Sequence, residues 1–212
     1  MARGLQGKDQ PDYSVFLSHA VDDGALANAI ASALPDEGLR GFVATHQITP
    51  AQEWLPELES ELRSCDALTA VLSPAFRSSQ WTDQEIGFAL ACRHKIIPLQ
   101  TSVDGLPHGF LQRFQGLLVA GMSGRQIATR IFDVLYAYPD EQSRLADIVI
   151  AKLEAERSLP RINVWVRRLE LLDHLDDGRL EMVERALRTN AVIRNNTLTV
   201  HRIQATMARW GR

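Results

Sequence analysis

Short apolar runs alternate with amphipathic stretches through the first two thirds of the chain. Residues 13–17 (YSVFL) are apolar and β-prone after Pro11, and they predict a buried strand. Asp22 and Asp23 stand where they would cap a helix whose apolar face is Leu26, Ile30, Ala33 and Leu34. Residues 38–44 (GLRGFVA) read as a turn and a second strand, and residues 45–53 (THQITPAQE) as a polar loop around a proline. Thr49 and Gln52 have capping-box spacing with Pro50 at the first helical position, although Pro56 must then fall in the first turn as well. Trp54, Leu58 and Leu62 recur at helical spacing. Residues 66–72 (DALTAVL) predict a third buried strand, ended by Ser73 and Pro74. Residues 78–94 hold a helix in which Ile86, Ala89, Leu90 and Arg93 follow Trp81. Residues 96–99 predict a fourth strand, where Pro98 points to an edge or a bulge. Residues 117–120 predict a fifth, after which Ser123 caps a helix carrying Ile127, Ile131, Val134 and Leu135.

This alternation predicts βαβ units, hence an α/β fold with a parallel sheet covered on both faces. Ligands in such sheets sit at the carboxyl ends of the strands, so the loops to inspect begin at Ser18, Thr45, Ser73 and Gln100. The character changes after Pro139. Helical stripes run through Leu145, Ile148, Val149 and Leu153, then Val164, Trp165, Leu169 and Leu172, then Leu180, Val183 and Leu187, and last Val200, Ile203, Met207 and Trp210. A strand pattern returns only over residues 197–200, and breaks fall at Pro160, Gly178 and Asn195-Asn196. The division expected is an N-terminal tail over 1–11, an α/β domain over 12–138 and a small helical region over 139–212.

Composition narrows the class. With 212 residues, 45% hydrophobic, 23% charged and a net charge of −3, the chain is an ordinary globular one with no run of five like charges, which argues against bulk electrostatic capture of nucleic acid. Residues 140–212 hold 12 arginines and a lysine against 11 acids, an interspersed pattern that reads as a solvated face. The longest apolar runs are far short of the about 20 residues a membrane-spanning helix needs. The polar residues 1–12 lack a signal-peptide core. Cys65 and Cys92 form neither a metal site nor a disulfide framework, and buried reduced thiols suit a cytoplasmic protein. The six histidines are scattered, with no pair at metal-ligand spacing, so no metal is expected. Dinucleotide-fold, phosphate-loop, hydrolase-elbow and zinc-protease motifs are all missing.

One stretch carries chemistry. In residues 78–87 (SSQWTDQEIG), Trp81 and Glu85 are four apart and share a helix face. An aromatic plate beside a carboxylate suits N-glycosidic cleavage. The departing base stacks on the ring, while the carboxylate holds ribose hydroxyls and stabilises an oxocarbenium-like transition state. A pyridinium such as nicotinamide would also favour the aromatic face. The plainer reading is a capping box, with Glu85 reaching back to the Thr82 backbone and Trp81 packed as the residue before the cap. Spacing alone favours that plainer account.

The combined segments Val15-Phe16-Leu17-Ser18-His19-Ala20, Gly41-Phe42-Val43-Ala44, Asp66-Ala67-Leu68, Ser73-Pro74-Ala75-Phe76 and Ser79-Gln80-Trp81-Thr82-Asp83-Gln84-Glu85 resemble a bacterial TIR (Toll/interleukin-1 receptor) domain over about residues 12–137. The resemblance implies a flavodoxin-like five-stranded parallel sheet. It implies that residues 45–53 correspond to the BB loop, which gates the site and contacts neighbouring TIR domains. It implies that Glu85 matches the glutamate with which the enzymatic branch cleaves NAD+, and Trp81 the tryptophan one turn before it. Some enzymatic relatives carry acids near the segment Thr45-His46-Gln47, and this chain has none there until Glu53.

The expectation is therefore an NAD+ glycohydrolase with NAD+ as substrate and no cofactor. Glu85 is the catalytic residue. Trp81, Ser18, His19, Phe42 and His46 bind the substrate, although the histidines read equally well as loop residues and Phe42 as core. Products would be nicotinamide and ADP-ribose or a cyclic isomer. The resemblance further implies self-association through TIR domains, a place in Thoeris-like anti-phage signalling, and a sensor or effector docked by residues 139–212, with no membrane partner. Two rivals stand beside it: a non-catalytic TIR–TIR scaffold in which Glu85 only caps its helix, and a nucleoside deoxyribosyltransferase-like enzyme.

Overall fold

The computed structural model describes residues 13–44, 55–79, 81–103 and 107–211. Among these, five strands form one parallel sheet: β1 (Ser14–Ser18), β2 (Arg40–Val43), β3 (Ala67–Leu72), β4 (Lys95–Gln100) and β5 (Leu117–Leu118). Their order is β2-β1-β3-β4-β5, the flavodoxin-like arrangement. Helices α1 (Gly24–Ala33), α2 (Leu55–Ser64), α3 (Thr82–Ala91) and α4 (Gly124–Tyr136) alternate with the strands. The chain winds one way from β1 to β2 and the other way from β3 onward. The crevice of this topology therefore opens at the carboxyl ends of β1 and β3.

Every side chain of β1 and β3 is buried, as expected of central strands covered on both faces. Phe16, Leu68, Ala70, Leu72 and Ile96 form one apolar layer with Leu58 and Leu62 of α2 and Ile86 and Ala89 of α3. Side chains two apart on a strand share a face, so Ser18 lies on the Phe16 side, towards α3. The opposite layer uses close approach. A Cβ on Gly41 would stand 2.9 Å from the Ala31 Cα, and one on Gly124 would stand 2.5 Å from the Ala29 carbonyl oxygen. Glycine at these positions lets α1 lie against β2 and α4 start against α1.

Several local expectations are corrected. Neither aspartate caps α1: its N-cap is Asp23, without a side-chain cap bond. Pro98 sits in a strand with neighbours on both sides. However, β5 pairs with β4 only at Leu99 and Gln100, so β4 keeps an edge-like flank over its proline. The third helix is shorter than 78–94, because residues 75–78 form a separate 3-10 turn. Pro56 does fall in the first turn of α2. The capping box at Thr49 and Gln52 lies outside the described residues. Ser123 caps α4 as the sequence suggests: its hydroxyl accepts from the Gln126 N–H at 3.3 Å, and the Gln126 side chain reaches back to the Ser123 N–H at 2.8 Å.

The chain divides into two compact units between Leu135 and Tyr136. The described residues of the second are helical: α5 (Pro139–Ala155), α6 (Leu159–Glu170), α7 (Asp177–Thr189), α8 (Ala191–Arg194) and α9 (Thr197–Arg209). Pro160 and Gly178 open helices rather than break them, since a proline or glycine in the first turn gives up no intrahelical bond. The strand expected over 197–200 is the first turn of α9, where the Asn196 side chain accepts from the Thr199 N–H. Trp165 is fully buried, and the Trp210 indole donates to the Leu172 carbonyl at 3.2 Å. Arginines are tied to acids on neighbouring helices. Arg179 binds Asp147, Arg185 binds Glu154 and Arg202 binds Glu170, each by two nitrogens. No helix of the described residues is long and apolar enough to cross a membrane.

Candidate functional site

Residue 85 falls where α3 should present an apolar side chain. Its neighbours on the inward stripe, Ile86 and Ala89, are in the core, and Glu85 itself is 2% exposed. Both carboxylate oxygens are buried. Burial pushes the Glu85 carboxyl up from its ordinary 4.5 to about 7, against a smaller opposing pull from the Ser18 hydroxyl. Ser18, the last residue of β1 and also buried, thus meets α3 at the carboxyl edge of the sheet, beside β3.

The capping box does not form. The N-cap of α3 is Trp81, without a side-chain cap bond. The Thr82 hydroxyl, fully buried, donates instead to the carbonyls of Phe76 and Ser79, at 3.1 and 3.2 Å. Thr82 therefore fastens the start of α3 to the segment before it. The Glu85 N–H donates to the Trp81 carbonyl at 3.0 Å, the first turn of the helix, which stacks the half-buried Trp81 one turn before the carboxylate.

Trp81 borders an open hollow of about 300 Å³. One wall is the β1–α1 connection, with Ala20, Val21 and Asp22. The other holds Ala75, Ser78, Ser79 and Trp81. Glu85 is not part of this lining and is buried one turn along α3 from Trp81. His19 is 4% exposed, its Nδ1 3.2 Å from the Leu17 carbonyl, and Nε2 faces Gly24 at the start of α1. The Leu17 carbonyl can only accept, so Nδ1 is the donor in this contact. Phe42 is placed by core packing: its ring stacks on Phe16 at 5.4 Å and leans on the layer beneath α2 and α3. His46 lies outside the described residues.

Reading the sequence missed one contact that shapes the site. The Ser73 hydroxyl, at the end of β3, donates to the Asp23 carboxylate at 2.5 Å. Fifty residues separate the two, and no local spacing signals the pair. The assembled parts are a near-neutral carboxylate, a hydroxyl, an aromatic plate and an adjoining hollow. The ring can stack a flat group in the hollow, and the buried carboxylate one turn from it can stabilise a positive charge. Among the described residues, no group of three or more His, Cys, Asp or Glu side chains is placed to hold a metal ion.

Comparison with known proteins matches the family described as "TIR domain" to residues 15–129. A curated protein of Brachypodium distachyon, "Probable 2' cyclic ADP-D-ribose synthase BdTIR", is 28% identical over 89 residues, 41% of this chain and 40% of the relative. The match thus spans about two fifths of that relative's length. Among solved structures, the TIR domain of the Toll-related receptor TRR-2 from Hydra magnipapillata superposes with a TM-score of 0.42 at 24% identity, covering 50% of this chain and 82% of that one. The TIR domains of the activated Roq1 resistosome, which recognises the pathogen effector XopQ, give a TM-score of 0.38 at 15% identity, over 92% of this chain and 98% of that one.

Proposed function

Because the chain belongs to the TIR domain family, we propose that it cleaves NAD+ between nicotinamide and ribose, with Glu85 as the catalytic carboxylate. The observation that carries this reading is the burial of Glu85 at the β1/β3 crevice, one turn from Trp81. A core position that holds a carboxylate at an energetic cost is where function outweighs stability. A relative whose name gives it as a probable 2' cyclic ADP-D-ribose synthase supports it.

In the reaction, the C1′–N bond breaks and its electron pair moves to the pyridinium nitrogen. Nicotinamide leaves neutral, and the ribose carries an oxocarbenium charge. Ionised Glu85 stabilises that charge and accepts hydrogen bonds from the ribose hydroxyls, while Trp81 stacks the departing ring. The Ser18 hydroxyl, buried near Glu85, favours the ionised carboxylate. Attack by water, with loss of a proton, gives ADP-ribose. Attack by a group of the same molecule gives a cyclic isomer. His19 sits behind the β1 end, where it supports the loop. In this reading no metal is called for, because the leaving group needs no Lewis acid. The wider role, bacterial Thoeris-like defence in the cytoplasm with self-association through the TIR unit and a partner on residues 139–212, extends this proposal and rests on the sequence resemblance.

The test is mass spectrometry of products after concentrated protein is incubated with NAD+, beside Glu85→Ala. Nicotinamide from the wild type alone supports the enzyme and its carboxylate. The second product separates hydrolysis from cyclisation. No nicotinamide at any protein concentration, with crowding agents present, would overturn the reading in favour of the scaffold. Turnover of free deoxynucleosides with NAD+ ignored would favour the deoxyribosyltransferase-like enzyme.

A further inference from the structure

The hollow beside Trp81 has two walls that belong to different parts of the chain. One follows β1 and the other follows β3. The 3-10 turns in them, Val21–Asp23 and Ala75–Ser78, pack on each other. Asp23 joins the walls. Its N–H donates to the Ala20 carbonyl at 2.9 Å, which closes its own turn. Its carboxylate receives the Ser73 hydroxyl at 2.5 Å, a distance typical of a charge-assisted O–H···O bond. The side chain is thereby committed across the crevice rather than to α1, where an N-cap bond is forgone.

Ser73 is fixed in its second role too. Its oxygen accepts from the Phe76 N–H at 3.3 Å. The Phe76 carbonyl in turn accepts from Thr82, the first residue of the helix that bears Glu85. A hydrogen-bonded strap thus runs from the β1–α1 connection, through Ser73 and Phe76, to the root of α3, and Trp81 stands beside its end. We infer that the Ser73–Asp23 hydrogen bond is a clasp that sets the gap between the two walls of the hollow, making the pair positioning residues for NAD+ binding. This inference rests on the NAD+ reading for its ligand, and on the geometry alone for the clasp.

The test uses the full chain with Ser73→Ala, Asp23→Ala, the double variant, and the conservative Ser73→Thr and Asp23→Asn, which keep donor and acceptor. Backbone hydrogen exchange over residues 20–23 and 75–79 is read alongside kcat and KM for nicotinamide release and the melting temperature. Both alanine variants are expected to quicken exchange in both walls and to raise KM about tenfold, with kcat held within about twofold. The double variant is expected to be no worse than either single one, and the conservative pair to restore wild-type values. Faster exchange in one wall only, KM and kcat changing together in step with melting temperature, or failure of Asp23→Asn to restore the fit would each overturn the clasp. If the wild type releases no nicotinamide, the glycohydrolase reading falls. The exchange comparison then decides the clasp by itself, and unchanged exchange in Ser73→Ala overturns it.

Discussion

Glu85 occupies a position where stability and chemistry pull in opposite directions. Its folded pKa of about 7 lies above the ordinary 4.5, so the folded protein binds more protons than the unfolded chain between those values. Stability contributed by the neutral carboxyl is therefore present at low pH and is lost as pH rises from about 4.5 through about 7. At pH 8 the shift corresponds to a penalty of at most about 3 kcal/mol. Glu85→Gln should then raise the melting temperature at pH 8 by several degrees, with a smaller gain at pH 5, while nicotinamide release is lost. A melting temperature lowered by the substitution at pH 8 would show that the charge is better held than its burial implies. For the wild type, kcat/KM should decline as pH falls through about 7, because the role assigned to Glu85 needs the ionised form. A flat profile between pH 5 and 8 would remove Glu85 from that role.

At the scale of elements, hydrogen bonds between segments decide what sequence spacing leaves open. The strands were legible because central parallel strands read as continuous apolar runs such as 66–72, and the resemblance carried their order. The caps were less so. Ser123 caps α4 through the local Ser-x-x-Gln pattern, yet the equally legal Thr82-x-x-Glu85 pattern fails, because Thr82 is drawn to the Phe76 and Ser79 carbonyls and Glu85 into the core. Pro160 and Gly178 read as breaks only because a first helical turn tolerates what a helix interior does not. The Glu85–Trp81 pair was legible from its spacing, whereas the Ser73–Asp23 bond depends on two loops meeting in space. Asn190 shows the same dependence in the helical unit. Fully buried, it accepts from the Val192 N–H at 3.0 Å to cap α8 and donates to the Leu153 and Glu156 carbonyls at 2.7 and 2.8 Å, which ties α8 to the end of α5. Asn190→Ala should destabilise the protein by about 2–4 kcal/mol in a denaturant titration, from the lost cap and from the buried Leu153 carbonyl that loses its Asn190 donor. Asn190→Asp should be no better, because it keeps the cap oxygen but sets a carboxylate against two carbonyls. Full stability in the aspartate variant would mean that the cap alone matters there.

At the scale of the molecule, each unit has an apolar interior built from its own elements. Phe16, Leu68, Leu72 and Ile86 fill the sheet unit, and Val149, Leu153, Trp165, Leu169 and Val183 fill the helical one. The proposed site, Ser18, Trp81, Glu85 and the Ser73–Asp23 bond, draws only on the first. A chain ended after Tyr138 keeps α4 whole, and at that length a single domain already buries roughly two thirds of the surface of its unfolded chain. It should therefore fold alone, unfold in one cooperative transition and release nicotinamide from NAD+ in a Glu85-dependent way. Circular dichroism, size-exclusion chromatography and the product assay check this. If the sheet unit folds but its rate per molecule becomes steeply dependent on protein concentration where that of the full chain is not, the helical unit supplies the self-association that the family resemblance implies. Aggregation with loss of secondary structure would instead show that the sheet unit draws stability from residues beyond Tyr138.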